Sequence, residues 1–286
     1  MNKYEEAFDK FDLNLQEAEV HKQTNKTLDK YEKNNTQKVL KLIHSCIDLT
    51  SLNTDDNKES IWRLTQSVND FENSNLDVPN VAAICVYPNF ISVVKEALTT
   101  DVLIAAVAGG FPSSQTFPEI KAVEAAFAVA GDADEIDIVL NIGAFFEENW
   151  EQLCLEIEEI KAICSSKYVC LKVILETGLL KTPSNIRKAA ILAMYSGADF
   201  IKTSTGKVYP GATPDAVYVI CQTIKEYYRM YQKQIGIKVS GAVRSVDDAV
   251  KYYTIVKEVL GEEWLCPDLF RIGASSLAEK IMDEIC

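Results

Sequence analysis

Histidine is nearly absent from this sequence, since only His21 and His44 occur among 286 residues. A zinc site built on three histidines therefore cannot be assembled. A serine–histidine–aspartate site would have to use one of these two residues. If the chain has an active site, we expect its catalytic groups to be lysines and carboxylates.

Further absences concern partners and location. The first twenty residues lack the apolar stretch of a secretory signal, and no run of 18 or more apolar residues follows. The eight cysteines form no CxxC pair, and several lie in apolar runs, which is typical of reduced core cysteines. The net charge of −13 disfavours nucleic acid and anionic membranes as partners. We expect a cytoplasmic protein that holds any anionic ligand at a local positive site.

Apolar, β-rich runs alternate with amphipathic helical segments from residue 43 onward. Eight strand-like runs begin near residues 43, 81, 103, 135, 168, 200, 236 and 269. Between them apolar residues recur with helical period, as at Ile186, Ala189, Ala190 and Ala193. Eight such repeats predict a (β/α)8 TIM barrel over residues 43–286. A doubly wound open sheet also alternates strands and helices, but the count of eight and the lack of GxGxxG favour the barrel.

Residues 1–42 precede the first predicted strand and are rich in charged and polar side chains. Patches such as KVLKLI have helical character, so we expect an N-terminal helical extension. We place it across the bottom of the barrel or against a neighbouring subunit. A homodimer is therefore among the expected assemblies.

The charged residues of the predicted strands share one side of each strand. Side chains alternate sides along a strand, and in five strands one parity is apolar and the other charged or polar. The apolar parity must face the surrounding helices, so the charged parity faces the barrel interior. This inward set contains Asp48, Asp137, Lys172, Glu176, Lys202 and Lys238. A salt-bridged core that fixes strand register is one interpretation, but buried ion pairs add little stability, which favours a catalytic cluster.

Lys202 is the candidate nucleophile of this cluster. A lysine attacks a carbonyl only as the neutral amine, and at an ordinary pKa of about 10.4 roughly one in two thousand is neutral at pH 7. Burial and a neighbouring cation both lower that pKa, and Lys238 on the next strand can supply the cation. Asp137 can then accept or deliver protons. These residues predict chemistry through an imine between lysine and a carbonyl compound.

Several segments carry a family resemblance. They are IDLTSL, AAICVYP, ADEIDIVLNIGAF, CLKVILETG, GADFIKTSTGK and FRIGASSL. From about residue 38 onward the chain resembles the deoxyribose-phosphate aldolase family. The resemblance implies a class I, Schiff-base aldolase on a (β/α)8 barrel, an aldehyde-lyase without metal or organic cofactor. Such enzymes reversibly cleave 2-deoxy-D-ribose 5-phosphate to acetaldehyde and D-glyceraldehyde 3-phosphate in deoxyribose phosphate catabolism.

The resemblance also implies roles for single residues. It makes Lys202 the Schiff-base lysine, Lys238 the second lysine that perturbs it, and Asp137 the carboxylate of the proton relay. It makes Lys172 a further active-site lysine that tunes this carboxylate. The supporting or substrate-contacting set is Asp48, Thr50, Cys85 and Thr205. Cys85 matches a family cysteine, but a lone thiol in an apolar run is more often a plain core residue.

The phosphate end is expected in the loops after the seventh and eighth strands, because barrels often bind phosphate there at a helix N-terminus. Residues that follow the sixth strand complete this expected site. The predicted phosphate-binding residues are Gly206, Lys207, Ser240, Gly241, Ser275 and Ser276. Ser276 could instead simply cap the last helix.

Two positions depart from the family pattern. Ala242 in KVSGAVR replaces a glycine, and Ser114 stands where many relatives carry glycine. Two alternatives stay open. One is another Schiff-base barrel enzyme, such as a transaldolase-like enzyme that forms the same imine with a different sugar phosphate. The other, suggested by the altered loop after the seventh strand, is a non-catalytic phosphosugar-binding protein.

Overall fold

Eight parallel strands close into a barrel in this computed structural model, which describes residues 3–74, 76–241 and 243–285. Each strand pairs with its neighbours in chain order, and the last pairs with the first. The predicted (β/α)8 TIM barrel is confirmed. The strands are β1 (Ile47–Thr50), β2 (Ala83–Val86), β3 (Leu103–Ala108), β4 (Glu135–Val139), β5 (Cys170–Ile174), β6 (Phe200–Lys202), β7 (Gly236–Ser240) and β8 (Phe270–Ala274).

Helices precede the barrel and surround it. Those before β1 are α1 (Lys3–Phe8), α2 (Glu17–Leu28), α3 (Tyr31–Asn34) and α4 (Gln37–Ser45). Those after it are α5 (Lys58–Asn73), α6 (Ile91–Ala97), α7 (Pro118–Ala130), α8 (Ile142–Phe146), α9 (Trp150–Ser165), α10 (Thr177–Leu180), α11 (Pro183–Tyr195), α12 (Pro214–Tyr231), α13 (Val246–Val259) and α14 (Leu277–Ile285). Within the described ranges, no helix combines the length and apolarity that crossing a bilayer would need.

The apolar parity of the strands faces these helices, as the alternation predicted. Ile201, Ile237 and Val239 are fully buried in the large core cluster between the barrel wall and the helices. Helix starts are fixed locally; for example, the Thr213 side chain accepts a hydrogen bond from the backbone N–H of Ala216 at 3.2 Å, next to Pro214 in the first turn.

The predicted start of the first strand near residue 43 is wrong. Residues 43–45 form the last turn of α4, and β1 begins at Ile47. The Thr36 side chain caps this helix, and its buried residues Val39, Leu40 and Ile43 recur at helical spacing. The apolar run IHSCI therefore crosses from a helix end into a strand, and no break in hydrophobicity marks the change.

The N-terminal segment is helical, but the structure does not place its first helices across the bottom of the barrel. Helix α1 packs on α11, α2 packs on α12 and α13, and α3 packs on α13. Arg187 of α11 fastens the segment, because its Nη1 donates to the backbone carbonyl of Asp12 at 2.8 Å. At the bottom of the barrel lies a cavity of about 470 Å³ whose lining includes Glu135 and Arg271 and none of the described residues of the segment.

The barrel interior is divided into two sides. One side, next to β2 and β3, is apolar and is formed by Leu52, Ala83, Cys85, Ala105 and Val107. The other side is filled by charged residues. The candidate active site lies on this charged side.

Candidate active site

Seven charged side chains from six strands meet inside the barrel. They are Asp48 of β1, Glu135 and Asp137 of β4, Lys172 of β5, Lys202 of β6, Lys238 of β7 and Arg271 of β8, and each is at most 3% exposed. Strand register brings them together, since Asp137 pairs with Lys172 and Lys202 pairs with Lys238 across neighbouring strands. The inward direction predicted for the charged parity is confirmed.

Six of these side chains form a closed ring of alternating charge, which we call the charge ring. Its members, in order of contact, are Asp48, Arg271, Glu135, Lys172, Asp137 and Lys238. Arg271 bridges two carboxylates, with Nη1 2.6 Å from Asp48 Oδ1 and Nη2 2.8 Å from Glu135 Oε1. The remaining contacts are of similar length, so each charged group of the ring has an opposite charge on both sides.

Lys202 is attached to the charge ring at a single carboxylate. Its Nζ lies 2.8 Å from Asp137 Oδ2, and the same oxygen accepts from Lys238 Nζ at 2.7 Å. The other oxygen, Oδ1, accepts from Lys172 Nζ at 3.1 Å. Asp137 therefore holds three lysines, and Lys202 is the one that also lines a cleft open to solvent.

Burial is the largest influence on the pKa of Lys202 and lowers it. Asp137 opposes that shift, the positive charge of Lys238 reinforces it, and the pKa stays below the ordinary lysine value. Burial would also lower the pKa of Lys238, but Asp137 and Asp48 hold it well above the ordinary value. The two neighbouring lysines are thus driven in opposite directions, which leaves Lys202 as the amine that most readily loses its proton.

The carboxyl of Asp137 stays ionised. Burial alone would raise its pKa, but Lys172, Lys202 and Lys238 outweigh burial and hold the pKa well below the usual range. A carboxylate that accepts from the reactive lysine is placed to take up or return a proton. Among the described residues, no group of three or more histidine, cysteine, aspartate or glutamate side chains is arranged to hold a metal ion.

A cleft of about 240 Å³ opens above Lys202 at the carboxyl ends of the strands. Its lining consists of Thr50, Leu52, Asn53, Lys202, Thr205, Gly206, Lys207, Ser240, Gly241, Val243, Arg244, Gly273, Ala274 and Ser275. Three cations and no carboxylate occur among these described residues, although the whole chain is strongly acidic. The cleft is therefore suited to an anionic ligand.

Close backbone contacts hold the loops at the cationic end of the cleft. Gly206 and Gly241 have φ values of 79° and 86°, and a Cβ on Gly241 would lie 3.1 Å from the Cα of Gly206. A Cβ on Gly211 would lie 2.2 Å from the carbonyl oxygen of Gly241. The loops after β6 and β7 thus approach each other at positions that only glycine fits.

Glu176 ties the loop after β5 to the cleft. It is buried with a φ of 54°, and its carboxyl accepts from the hydroxyl of Thr205 at 2.5 Å and from the backbone N–H of Thr205 at 3.3 Å. Thr205 Oγ1 in turn accepts from the backbone N–H of Lys207 at 3.0 Å. An inward carboxyl predicted from parity therefore supports the loop that carries Thr205 and Lys207.

Not every predicted site residue lies at the cleft. Asp48 is buried beneath it in the charge ring, Cys85 belongs to the apolar side of the interior, and Ser276 follows the lining residue Ser275 without lining the cleft itself. Ala242 lies outside the described residues. Ser114 is described and has a φ of 59°, a left-handed conformation that explains why glycine suits this position.

Three further charged residues of the site, Glu135, Arg271 and Arg244, were not predicted from the sequence. The signal for Glu135 was present, since it lies two residues before Asp137 and so shares its parity. Arg271 follows the same alternation in β8, two residues before Gly273, which borders the cleft. Arg244 lies in a loop, where no periodicity points to a direction.

A closed parallel barrel with a buried amine–carboxylate cluster beneath a cleft at the carboxyl ends of its strands defines a (β/α)8-barrel enzyme. Residues 42–277 match the family model described as DeoC/LacD family aldolase, and the chain belongs to this family. It is 38% identical over 250 residues to the human deoxyribose-phosphate aldolase, covering 84% of this chain and 78% of that protein. The mouse enzyme of the same name is 37% identical with the same coverage.

Solved structures agree with the fold. An aldolase named QR15 superposes with a TM-score of 0.68 at 27% identity, covering 85% of this chain and 96% of that one. A tetrameric deoxyribose phosphate aldolase from Aeropyrum pernix gives a TM-score of 0.68 at 23% identity, covering 94% and 98%. The second likeness concerns the fold alone.

Proposed function

We propose that this aldolase cleaves 2-deoxy-D-ribose 5-phosphate reversibly to acetaldehyde and D-glyceraldehyde 3-phosphate through an imine on Lys202. The observation that carries the proposal is the contact of Lys202 with Asp137 and Lys238 at the floor of a cationic cleft. The names of the human and mouse relatives support the same substrate.

The reaction follows from this geometry. The neutral amine of Lys202 attacks C1 of the open-chain sugar, and loss of water gives the imine. The C2–C3 bond then breaks, its electron pair forms the C1–C2 double bond of an enamine, and the C3 hydroxyl releases its proton as glyceraldehyde 3-phosphate leaves. C2 next takes up a proton, and water hydrolyses the imine to release acetaldehyde and the free amine. Asp137 is the group beside Lys202 that can exchange these protons.

The phosphate group is assigned to the cationic end of the cleft. Lys207 and Arg244 supply positive charge there, and Gly206, Ser240, Gly241 and Ser275 border the same space. We expect Arg244→Met to raise KM for the phosphorylated sugar by about tenfold, because one charge-assisted contact is lost. The KM for unphosphorylated 2-deoxyribose is the matched control, and an equal rise in both would refute the assignment.

Reductive trapping tests the nucleophile directly. Incubation with acetaldehyde and borohydride should add one ethyl group, located on Lys202 by peptide mass spectrometry. Lys121 is the internal control, because it is equally buried but paired with Glu156 at 2.7 Å away from the cleft. An unmodified Lys202 in folded protein would refute the imine.

Two other functions remain alternatives to this proposal. A transaldolase-like enzyme would form the same imine with a different donor, and a panel of aldehydes and ketones separates the two. A non-catalytic phosphosugar-binding protein would bind the sugar phosphate without cleaving it, so measured cleavage would dismiss that alternative.

The absence of any disulfide among the described cysteines supports the proposed cytoplasmic location.

We also propose that the protein forms a homodimer through the exposed face of α7. Four apolar residues at helical spacing face solvent there, with exposures of 75% for Phe117, 53% for Ile120, 49% for Val123 and 74% for Phe127. Together with the neighbouring Leu155 they present about 500 Å² of apolar surface, by the usual size of such side chains. A standard interface buries about 800 Å² per partner, of which somewhat more than half is apolar, so the patch matches one side of a dimer.

Charges at the two ends of α7 favour a twofold axis across its middle. Glu119 lies in its first turn, and Glu151 and Glu159 border the groove beside Pro118. At the other end Lys95 and Lys167 flank the helix, and both also pair with Asp132. Two antiparallel copies of α7 would place the acidic end of each beside these two lysines, which share a single carboxylate partner.

Sedimentation equilibrium tests the dimer. Wild-type protein should be dimeric at micromolar concentration, and Phe127→Glu should be monomeric and folded. Met230→Glu on α12 changes another exposed apolar residue and should leave the dimer intact. A monomeric wild type, or a dimeric Phe127→Glu variant, would contradict the assigned surface.

A further inference from the structure

The cluster of seven charged strand residues contains one more cation than carboxylates. Three carboxylates (Asp48, Glu135 and Asp137) meet four cations (Lys172, Lys202, Lys238 and Arg271). With every group ionised, the cluster would carry one excess positive charge in a site almost closed to water, which is costly. The loss of a single proton makes the cluster neutral.

The contacts of the charge ring decide which group gives up that proton. Lys172 contacts Glu135 and Asp137, and Lys238 contacts Asp137 and Asp48. Arg271 contacts two carboxylates and keeps its proton at any ordinary pH. Lys202 contacts one carboxylate and shares that oxygen with another lysine, so its ammonium is the least stabilised of the four.

We propose that Arg271 and Glu135, neither of which lines the cleft, are positioning residues that fix Lys202 as the uncharged amine of the cluster. With Lys172 and Lys238, Arg271 gives the ring three positive charges, which balance its three carboxylates. The ring is therefore neutral without a proton on Lys202. Glu135 acts in the opposite sense, because it adds the negative charge that keeps Lys172 and Arg271 in the ring. This inference rests on the proposed imine chemistry and adds two residues to it.

Two further titratable groups lie close to Lys202 but outside the charge ring. They are Cys85 on the β2 side and Glu176 at the end of β5. Burial raises the pKa of the Cys85 thiol, which stays neutral. Burial also raises the pKa of Glu176, whose carboxyl accepts hydrogen bonds from Thr205 and forms no ion pair within the described part of the chain. The direction of each expected shift is therefore independent of Glu176.

Trace labelling with acetic anhydride measures the fraction of Lys202 present as the amine and needs no aldolase activity. The extent of labelling at Lys202, read by peptide mass spectrometry against pH, rises with a midpoint at its pKa. We expect Arg271→Met to move the midpoint up by about one pH unit, which means about tenfold less amine below the midpoint. We expect Glu135→Gln to move it down. The double variant should have a midpoint close to that of wild type. Arg271→Lys should also keep the wild-type midpoint, because it retains the positive charge.

Opposite shifts in the two single variants, with recovery in the double variant, would not follow from a structural role alone. Single variants that shift in the same direction, or that do not shift while circular dichroism shows a native fold, would overturn the inference. If Arg271→Met fails to fold, Glu135→Gln still decides, because it must lower the midpoint. Failure of reductive trapping together with correct labelling shifts would refute the imine and leave the charge assignment intact.

Discussion

The two sides of the barrel interior differ in what they contribute to the protein. Next to β2 and β3, small apolar residues such as Ala83, Ala105 and Val107 fill the space. On the other six strands the same inward positions carry the seven charged residues of the cluster. Both sides are closely packed and hidden from water, yet one gains stability from burial and the other loses hydration of every charge it buries.

The comparison indicates that the fold tolerates the charged side and that the chemistry requires it. A ring of alternating charges recovers much of the desolvation cost, and it does so only while all members are present. Lys202 is the exception, since it brings a further charge that the ring does not need. We therefore expect changes on the charged side to separate stability from activity, and changes on the apolar side to affect stability alone.

The largest expected effect is the loss of turnover in Lys202→Met. Without the amine no imine forms, and we expect kcat to fall by about 10⁴-fold or more, measured as cleavage of 2-deoxyribose 5-phosphate. The same variant should be as stable as wild type or more stable by about 1 kcal/mol in urea unfolding, because it removes a poorly paired buried amine. Retained cleavage would refute the assignment of Lys202 as the nucleophile. Marked destabilisation would show that the charge ring needs the positive charge of Lys202 for its stability.

Asp137→Asn should affect both properties. The neutral amide cannot balance three lysines, so we expect a loss of about 3–5 kcal/mol in the free energy of unfolding. We also expect kcat to fall by about 10²–10⁴-fold, since the proton acceptor beside Lys202 is gone. Unfolding in urea and steady-state kinetics on the folded fraction measure the two effects. A variant with normal stability would mean that the charge ring does not depend on this carboxylate.

The acid dependence of stability gives a smaller effect. The pKa of Asp48 and that of Asp137 are both held well below the ordinary value in the folded state. Burial alone would raise them, but the attraction of the neighbouring cations, led by Lys238 for Asp48 and Lys172 for Asp137, outweighs burial. Their contribution is present above the unfolded pKa of about 4 and is lost as the pH falls below it. We expect the free energy of unfolding to decline from about pH 4 downward, measured by urea unfolding at several pH values. The decline should be shallower in Asp137→Asn. An equal slope would mean that Asp137 does not contribute to the acid dependence of stability.

Much of the fold and part of the site followed from periodicity in the sequence. Strand alternation indicated that Asp137, Lys172, Lys202 and Lys238 point inward, and the structure brings them into contact. Alternation reports the direction of a side chain and not its depth along the strand. Asp48, which the family resemblance places near the substrate, is fully buried in the charge ring, and its contact with substrate stays a prediction.

The misses have equally physical causes. Arg271 was not predicted, because it is a single charge in an apolar strand. Its carboxylate partners lie on other strands and come into contact with it only when the barrel closes β8 onto β1. The start of β1 was placed too early, because the end of α4 is as apolar as the strand that follows it. Arg244 lies in a loop whose path no periodic pattern describes.

The smallest effect is expected on the apolar side, and it completes the comparison. Val107 of β3 pairs across the strands with Asp137, so Val107→Ala changes the same depth of the barrel without touching a charge. We expect a loss of about 2 kcal/mol from the cavity that remains, and a kcat within about threefold of wild type, since nothing in the charge ring moves. Urea unfolding and steady-state kinetics at one pH suffice. A large fall in kcat with little loss of stability would show that the apolar side also positions the reacting groups, and the two sides would no longer be separable.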